Sequence, residues 1–221
     1  MPDPSDQPPH ALCTPPLLEA QGLSCRRGGR PLFDGLTLRV EAGQLWWLSG
    51  ANGQGKSTLL RVLAGVGRPA RGQVHRHQPC VYLGHQDALH PDLSVLDALG
   101  FLVRLHHGPV STLRLQQALH EVGLAAHGHQ PVRRLSQGQR KRVSLCRLWL
   151  APTAGVWLLD EPLDALDDEG VNGLTRWWQA HLERGGAVVM SSHQALPLLP
   201  QVRRLHLSPQ GAHGAQHGQA A

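Results

Sequence analysis

The chain has 221 residues, of which 41% are hydrophobic and 17% are charged. That composition supplies enough apolar side chains for a sizeable core, which excludes a wholly disordered protein. The four cysteines are far apart and form no C-x-x-C pair, which excludes a zinc knuckle and favours a reduced, cytosolic compartment. No apolar run approaches the roughly 18 residues that a membrane span needs, so we expect another chain to supply any membrane spans.

The formal net charge is +5, and among the 21 basic residues only Lys56 and Lys141 are lysines. We attribute the excess of arginine to a GC-rich coding bias, and we expect a lysine that persists against this bias to be needed as a lysine. Four short clusters of basic residues occur, namely Arg26-Arg27, Arg133-Arg134, Arg140-Lys141-Arg142 and Arg203-Arg204. They are scattered through several elements, which favours a solvated surface over a nucleic-acid interface.

The order of predicted elements begins and ends with a tail. Residues 1–16, rich in Pro and Asp, and residues 209–221, rich in Gly, Gln, Ala and His, are predicted to be disordered, leaving residues 17–208 as the folded domain. Short apolar runs predict strands at Leu17–Leu23, Leu36–Val40, Leu45–Leu48, Cys80–Leu83, Val156–Leu159 and Ala187–Met190. Helical spacing predicts helices at Lys56–Ala64 and Val171–Leu182, and a helical subdomain over about residues 88–150. Strands alternating with helices around a helical insert indicate an α/β fold.

A glycine-rich loop follows the third predicted strand and precedes the first helix. It fits the pattern G-x-x-x-x-G-K-[ST], with the residues Gly50, Ala51, Asn52, Gly53, Gln54, Gly55, Lys56 and Ser57, followed by Thr58. Glycines let backbone N–H groups surround phosphate oxygens, and Lys56 brings a compact positive charge to the β- and γ-phosphates. Ser57 offers a hydroxyl to Mg²⁺, and the helix N-terminus attracts the anion. The loop therefore predicts an ATP site.

Two adjacent carboxylates end a later apolar run, Val156 to Glu161. Asp160 at the strand tip is suited to hold Mg²⁺, and Glu161 is suited to accept a proton from the attacking water or to orient it. Many strands end in acidic turns, so this pattern is weak when taken alone.

Further motifs make the chain resemble the ATP-binding subunits of ABC transporters. Leu135–Gln139 resembles the signature LSGGQ, and Gln86 resembles the Q-loop glutamine between the phosphate loop and the signature. Residues 163–167 resemble the D-loop that follows the catalytic glutamate, and His193 resembles the switch histidine after the next strand. These motifs cover roughly residues 20–195.

The resemblance implies a P-loop ABC ATPase core, built from a RecA-like sheet and an antiparallel β part, with an α-helical subdomain. It implies MgATP as the ligand, with Mg²⁺ held by Ser57, Gln86 and Asp160. It implies catalytic roles for Glu161, His193 and Gln86. It also implies that two copies associate head to tail, so that Ser136 and Gly138 of one copy close over the γ-phosphate bound to the other.

A narrower resemblance is to the ATPases of cytochrome c maturation, the CcmA family. It rests on three short segments and on two near the N-terminus, namely Leu83–Gln86, Cys146–Leu150, Ser192–Gln194, Gly22–Arg26 and Pro31–Phe33. The resemblance implies a peripheral subunit on the cytoplasmic face of the bacterial inner membrane. It implies integral membrane partners like CcmB, with a haem handler like CcmC, and energy used for haem export or haem-chaperone release.

Two alternatives to this reading have different partners. The first is the ATPase subunit of an ABC exporter for another small molecule or lipid, which would bind a different membrane protein. The second is an ABC protein that acts on DNA or ribosomes, but such proteins usually carry two ATP domains or a long coiled-coil insert, and the sequence has neither. No nucleic-acid partner is expected.

The sequence departs from the general family pattern at several positions. Gln137 replaces the first glycine of the signature and is expected to put a side chain near the partner's γ-phosphate. The position where many members carry an adenine-stacking aromatic falls near Cys25, Arg26 and Arg27, so either the guanidinium plane of Arg27 stacks on adenine or adenine is held loosely. Residues 72–79 predict a trimmed hairpin. Of the fifteen histidines, several are assigned to turns or helix ends, where solvated histidine is ordinary, and His213 and His217 lie in the predicted tail without a cysteine or carboxylate framework, so direct haem or metal ligation by histidine is not expected.

Overall fold

Two β-sheets and five α-helices make up the computed structural model, which describes residues 15–151, 155–193, 202–208 and 211–217. The strands are β1 (Leu18–Arg27), β2 (Arg30–Val40), β3 (Leu45–Ser49), β4 (Arg71–Arg76), β5 (Cys80–Leu83), β6 (Val156–Asp160), β7 (Ala187–Ser191), β8 (Val202–Ser208) and β9 (Gly211–His217). The helices are α1 (Lys56–Ala64), α2 (Val95–His107), α3 (Thr112–Glu121), α4 (Gln137–Leu150) and α5 (Asp168–Glu183).

The larger sheet has six strands in the order β5-β6-β7-β3-β8-β9, and the first five are mutually parallel. Every residue of β6 and β7 is buried, as continuous apolar runs are when both faces of a parallel sheet are covered. Because parallel strands end at the same edge, the loops after β3, β6 and β7 lie close together. That edge therefore brings together the glycine-rich loop, Asp160 and His193.

The smaller sheet is antiparallel, in the order β2-β1-β4. A tight turn joins β1 to β2 through Gly28 and Gly29, both with positive φ, which glycine adopts without steric cost. Strand β4 pairs with β1 in the segment where the sequence predicts only a trimmed hairpin. It is a polar edge strand in which only Val74 is even half-buried, so periodicity does not reveal it.

The C-terminal prediction needs a correction. The composition of residues 209–221 predicts a disordered tail, but Gly211–His217 form β9, which pairs antiparallel with β8 and places Gly211 opposite Ser208. The segment 211–217 contains no proline, so its backbone can complete the hydrogen-bond ladder on the open side of β8. The predicted N-terminal tail lies outside the described residues up to residue 14, as do residues 218–221.

Three apolar clusters hold the elements together. The first lies between the two sheets and includes Leu59, Leu60 and Leu63 of α1. The second covers the other face of the larger sheet with α5, where Trp178 is fully buried. The third joins α2, α3 and α4 within the segment predicted to be the helical subdomain. The α/β fold with a helical part is thus confirmed.

Among the described residues, no helix combines the length and the apolar character needed to cross a membrane.

Candidate nucleotide-binding site

The glycine-rich loop between β3 and α1 requires its glycines. Gly50 has φ +141°, and a Cβ placed on it would lie 2.8 Å from the carbonyl oxygen of Leu207. Gly55 has φ +96°, and its Cβ would lie 3.0 Å from the side chain of Leu32. The Gln54 side chain closes the loop by accepting a hydrogen bond from the Ala51 N–H at 2.7 Å. These constraints fix the path of the loop backbone.

The start of α1 is prepared for an anion. Gly55 caps it without a side-chain hydrogen bond, and its first turn contains no acidic residue. N–H groups at such a terminus carry a partial positive charge. The Lys56 ammonium bends back over the loop and donates a hydrogen bond to the Gly50 carbonyl oxygen at 2.8 Å. This side of the site is therefore electropositive.

Asp160 lies at the end of β6, next to the start of α1. Its Oδ1 accepts hydrogen bonds from Ser57 Oγ at 3.0 Å and from Ser191 Oγ at 2.8 Å. Its Oδ2 is buried and has no hydrogen-bond partner among the residues that the structure describes. A buried carboxylate oxygen without a partner is costly, and with the Ser57 hydroxyl beside it the donor set suits a hard divalent cation.

Glu161 follows Asp160 and is held at several atoms. Its backbone has φ +50°, an uncommon conformation for a residue other than glycine. His193 contacts both carboxylate oxygens: its backbone N–H donates to Oε2 at 3.1 Å, and its Nε2 lies 3.3 Å from Oε1. The Glu161 side chain is only 10% exposed, whereas the His193 side chain is 51% exposed. A carboxylate held in this way is fixed in direction and suited to accept a proton.

These groups line one open cavity of about 300 Å³. Its lining residues are Arg27, Leu32, Asn52, Gly53, Gly55, Lys56, Ser57, Thr58, His85, Asp160, Glu161, Asp164 and His193. The cavity has cations and helical N–H groups on one side and carboxylates on the other. That arrangement suits a phosphate chain with a bound cation. Arg27 lines the cavity, which is consistent with a position near the adenine of a bound nucleotide.

The comparison with protein families fits this geometry. The profile described as "ABC transporter" matches residues 33–164, which is more than half of the chain. The chain belongs to the ABC transporter ATP-binding family.

Curated relatives within this ABC family cover most of the chain. The protein "Cytochrome c biogenesis ATP-binding export protein CcmA" of Alkalilimnicola ehrlichii is 44% identical over 197 residues, with 84% of each chain covered. Its counterpart of the same name from Salmonella typhi is 42% identical, with 89% of this chain and 99% of the relative covered. That of Methylococcus capsulatus is 43% identical, with coverages of 86% and 97%.

Solved structures agree with the ABC fold. An ATP-binding subunit of an ABC transporter superposes with a TM-score of 0.78 at 21% identity, over 91% of this chain and 90% of that one. A putative ABC transporter ATP-binding protein from Pyrococcus furiosus gives 0.71 at 26% identity, over 86% and 96%. A dimeric ATP-binding cassette in a post-hydrolysis state with ADP and Pi bound gives 0.78 at 19% identity, over 92% and 100%.

The signature residues of this ABC protein lie away from the cavity. Ser136 is exposed and caps α4, where its hydroxyl accepts a hydrogen bond from the Gln139 N–H. Gly138 packs against the D-loop, and a Cβ on it would lie 2.6 Å from the carbonyl oxygen of Ala165. Gln137, in place of the usual glycine, is exposed. Within one chain, then, the signature and the phosphate loop do not meet.

Gln86 is also outside the cavity. It lines two neighbouring grooves, while the adjacent His85 lines both grooves and the cavity. One of these grooves, with a volume of about 590 Å³, separates β5 and the end of α1 from α2 and α4. Arg147 of α4 lines it and is 6% exposed, and within the described part of the chain its Nε has no hydrogen-bond partner. Burial lowers the pKa of Arg147, and no ion pair of this side chain occurs among the described residues.

Two residues at the site escape the motif analysis. Ser191 donates to Asp160 Oδ1 and accepts from the Glu161 N–H at 3.0 Å. Lys141 donates from Nζ to the Glu161 carbonyl oxygen at 2.8 Å. The prediction of a solvated surface for the cluster at 140–142 is therefore wrong for Lys141. The scarcity of lysine was the signal that pointed to it, and nothing in the sequence distinguishes Ser191.

Proposed function

We propose that this chain binds and hydrolyses ATP. The observation that carries the proposal is the meeting of the glycine-rich loop, Lys56, Asp160 and a buried Glu161 in one cavity. Lys56 and the N–H groups of Gly50–Ser57 bind the phosphates. Glu161, directed by His193, accepts the proton of the attacking water, and the His193 ring orients the γ-phosphate.

Mg²⁺ is proposed to accompany the ATP. The Ser57 hydroxyl and the Asp160 carboxylate would hold it from the core, and Gln86 would complete the set from the Q-loop. The unpartnered Oδ2 of Asp160 supports this assignment. When bound, the ion neutralises charge on the β- and γ-phosphate oxygens.

The active form is proposed to be a head-to-tail pair of this chain. Ser136 and Gly138 are separated from the cavity of their own chain, and exposure of Ser136 leaves its hydroxyl available to a nucleotide held by a second copy. A structural relative bound to ADP and Pi is dimeric, which supports association of two copies. Each pair then contains two complete sites.

The proposed biological role is to energise a membrane complex for c-type cytochrome biogenesis, through haem export or haem-chaperone release. Relatives named for this process, at 42 to 44% identity over most of the chain, support it. The chain then acts as a peripheral subunit on the cytoplasmic face of the bacterial inner membrane. The alternative is an ABC exporter of another small molecule or lipid, with the same ATP chemistry.

The integral partners are proposed to be membrane proteins like CcmB, together with a haem handler like CcmC, and to meet this chain at the groove beside Gln86. The buried Arg147, which has no ion-pair partner among the described residues, favours a carboxylate from the partner. Phe101 and Leu105 of α2, which are 55% and 64% exposed, offer apolar contacts nearby. No direct haem ligation by this chain is proposed.

The test is Glu161→Gln, with the exposed Glu183→Gln as a matched control. The amide cannot accept the proton of the attacking water, so hydrolysis should fall by about 10²-fold or more while MgATP still binds. ATP should then hold two chains in a dimer that size-exclusion chromatography detects. The control should behave like the wild type. An active Glu161→Gln enzyme would refute the assignment of the general base.

The cytochrome role has a separate test in cells. A strain carrying Glu161→Gln should assemble the complex but accumulate few c-type cytochromes, as seen on haem-stained gels of its membranes. Normal cytochrome levels, in a host with no second copy of the system, would contradict the cytochrome role and leave an ABC ATPase that serves another cargo.

A further inference from the structure

Glu161 is held in an uncommon backbone conformation at the centre of the proposed catalytic site. With φ +50°, a residue that carries a Cβ is strained, and such a residue keeps this conformation only when its surroundings determine it. The contacts on its backbone are therefore of interest, in addition to those on its carboxylate.

Both backbone polar groups of Glu161 have side-chain partners. Ser191 of β7 accepts a hydrogen bond from the Glu161 N–H at 3.0 Å. Lys141 of α4 donates one to its carbonyl oxygen at 2.8 Å. The same carbonyl accepts a longer bond of 3.3 Å from the Asp164 N–H, which closes the turn after Glu161. Of the two hydrogen bonds to this carbonyl, the one from the charged Lys141 ammonium is the stronger, and it fixes the direction of the carbonyl.

Lys141 is one of several contacts between α4 and the segment that follows β6. Gly138, three residues earlier and on the same face of α4, lies against the Ala165 carbonyl oxygen. Arg142 pairs with Asp167, the residue that caps α5. Through these contacts, the helix that begins with the signature holds the turn that carries the general base of its own chain.

The Lys141 ammonium lies among acidic groups. Burial lowers its pKa, while the carboxylates of Asp164, Asp160, Glu161 and Asp87 act in the opposite direction. A neutral side chain of similar length would fill the same space but would leave the Glu161 carbonyl without its charged donor.

We infer that Lys141 is a positioning residue for Glu161, because its bond from the signature helix to the Glu161 carbonyl holds the strained turn that directs the catalytic carboxylate at the cavity. This inference rests on the proposed ATPase function. It assigns to the signature helix a second role, exerted on the site of its own chain, besides its expected contact with the partner's nucleotide.

The test compares Lys141→Met, which keeps length and loses the donor, with Lys141→Arg, which keeps a cationic donor. Arg176→Met on the exposed face of α5 is the matched control for loss of a charge. Because a displacement of about 1 Å in a catalytic group can cost about 10²-fold, we expect kcat for ATP hydrolysis to fall about 10- to 100-fold in Lys141→Met. KM for ATP should stay within about twofold, and Lys141→Arg should recover most of the activity.

Trapping of the dimer provides a second measurement. Lys141→Met should accumulate an ATP-bound dimer on size-exclusion chromatography, as Glu161→Gln does, since both bind ATP and hydrolyse it slowly. A wild-type kcat in folded Lys141→Met would overturn the inference. So would a loss of activity that appears only as a raised KM.

Failure of the inference is distinct from failure of the proposed function. If Glu161→Gln abolishes hydrolysis and Lys141→Met does not, only the inference is wrong. If Glu161→Gln leaves hydrolysis intact, the assignment of Glu161 as the general base is wrong, and if the wild type does not hydrolyse ATP, the proposed function itself is wrong. Should Lys141→Met melt well below the wild type, Lys141→Gln takes its place: a folded Lys141→Arg that is no more active than Lys141→Gln would overturn the inference.

Discussion

Replacing His181 with leucine should make the stability of the protein less sensitive to acid. His181 lies on α5, is fully buried, and stacks on the ring of Trp157 with centroids 3.9 Å apart. Burial, with a smaller effect from Arg184, lowers the pKa of His181 to about 4, and the backbone of Gly155 and Ala187 only partly offsets this. In the unfolded chain the same imidazole has a pKa of about 6.5.

The direction of the change in stability with pH depends on whether the folded or the unfolded chain binds the proton. Between pH 6.5 and pH 4 the unfolded chain takes up a proton at His181 and the folded chain does not, so acid favours unfolding. The difference between the two pKa values, about 2.5, makes the free energy of unfolding roughly 3 kcal/mol larger at neutral pH than at low pH. Nearly all of that contribution is lost by pH 4. About 2 kcal/mol of this should be lost between pH 7.5 and pH 5.

Urea unfolding at several pH values measures this loss. With a slope of about 2.5 kcal/mol per molar, the wild-type midpoint should fall by about 0.8 M more than that of His181→Leu between pH 7.5 and pH 5. Carboxylates and the other histidines are common to both proteins, so the difference isolates His181. Midpoints that fall in parallel would refute the account of a buried neutral imidazole.

Three further changes test the nucleotide site and the groove. Lys56→Ala should lower ATP affinity by 10-fold or more, measured with a fluorescent nucleotide, because the charge on the phosphates is lost; near-normal affinity would contradict the phosphate loop. Ser136→Arg should block hydrolysis across the dimer, and mixing it with Lys56→Ala chains should restore one working site per mixed dimer; no recovery in folded, associating mixtures would contradict the shared site. Arg147→Met should keep the ATPase activity of the isolated chain but reduce its recovery with membranes; unchanged recovery would contradict the proposed carboxylate contact.

Sequence reasoning succeeds where a short segment decides its own structure. The loop Gly50–Ser57 is recognisable because its glycines and lysine serve one chemistry at fixed spacing. The strands β6 and β7 are recognisable because each is apolar up to its last residue, as buried parallel strands are. The acidic pair at 160–161 acquires meaning from the signature and switch motifs around it.

Sequence reasoning fails where long-range contacts decide the structure. Strand β4 is polar and exposed, and only its pairing with β1 defines it. Strand β9 has the composition of a tail, yet its backbone completes the ladder beside β8. Ser191 and Lys141 converge on Glu161 from elements 20 or more residues away, so no local pattern indicates their roles. Gly138 illustrates the same point, since the Ala165 carbonyl accounts for a glycine there without any nucleotide.

The helix α4 belongs to two apolar clusters at once, and this has a consequence for local opening. Val143 and Cys146 pack with α2 and α3, whereas Leu145 and Leu148 pack beneath the larger sheet. The buried side chains of α2 and α3 all belong to the cluster that these helices form with α4. These two helices can therefore open without disturbing the sheet, but α4 cannot. Amide protons of α4 should therefore exchange with solvent more slowly than those of α3. The signature serine is thus carried by the part of the helical cluster that opens last.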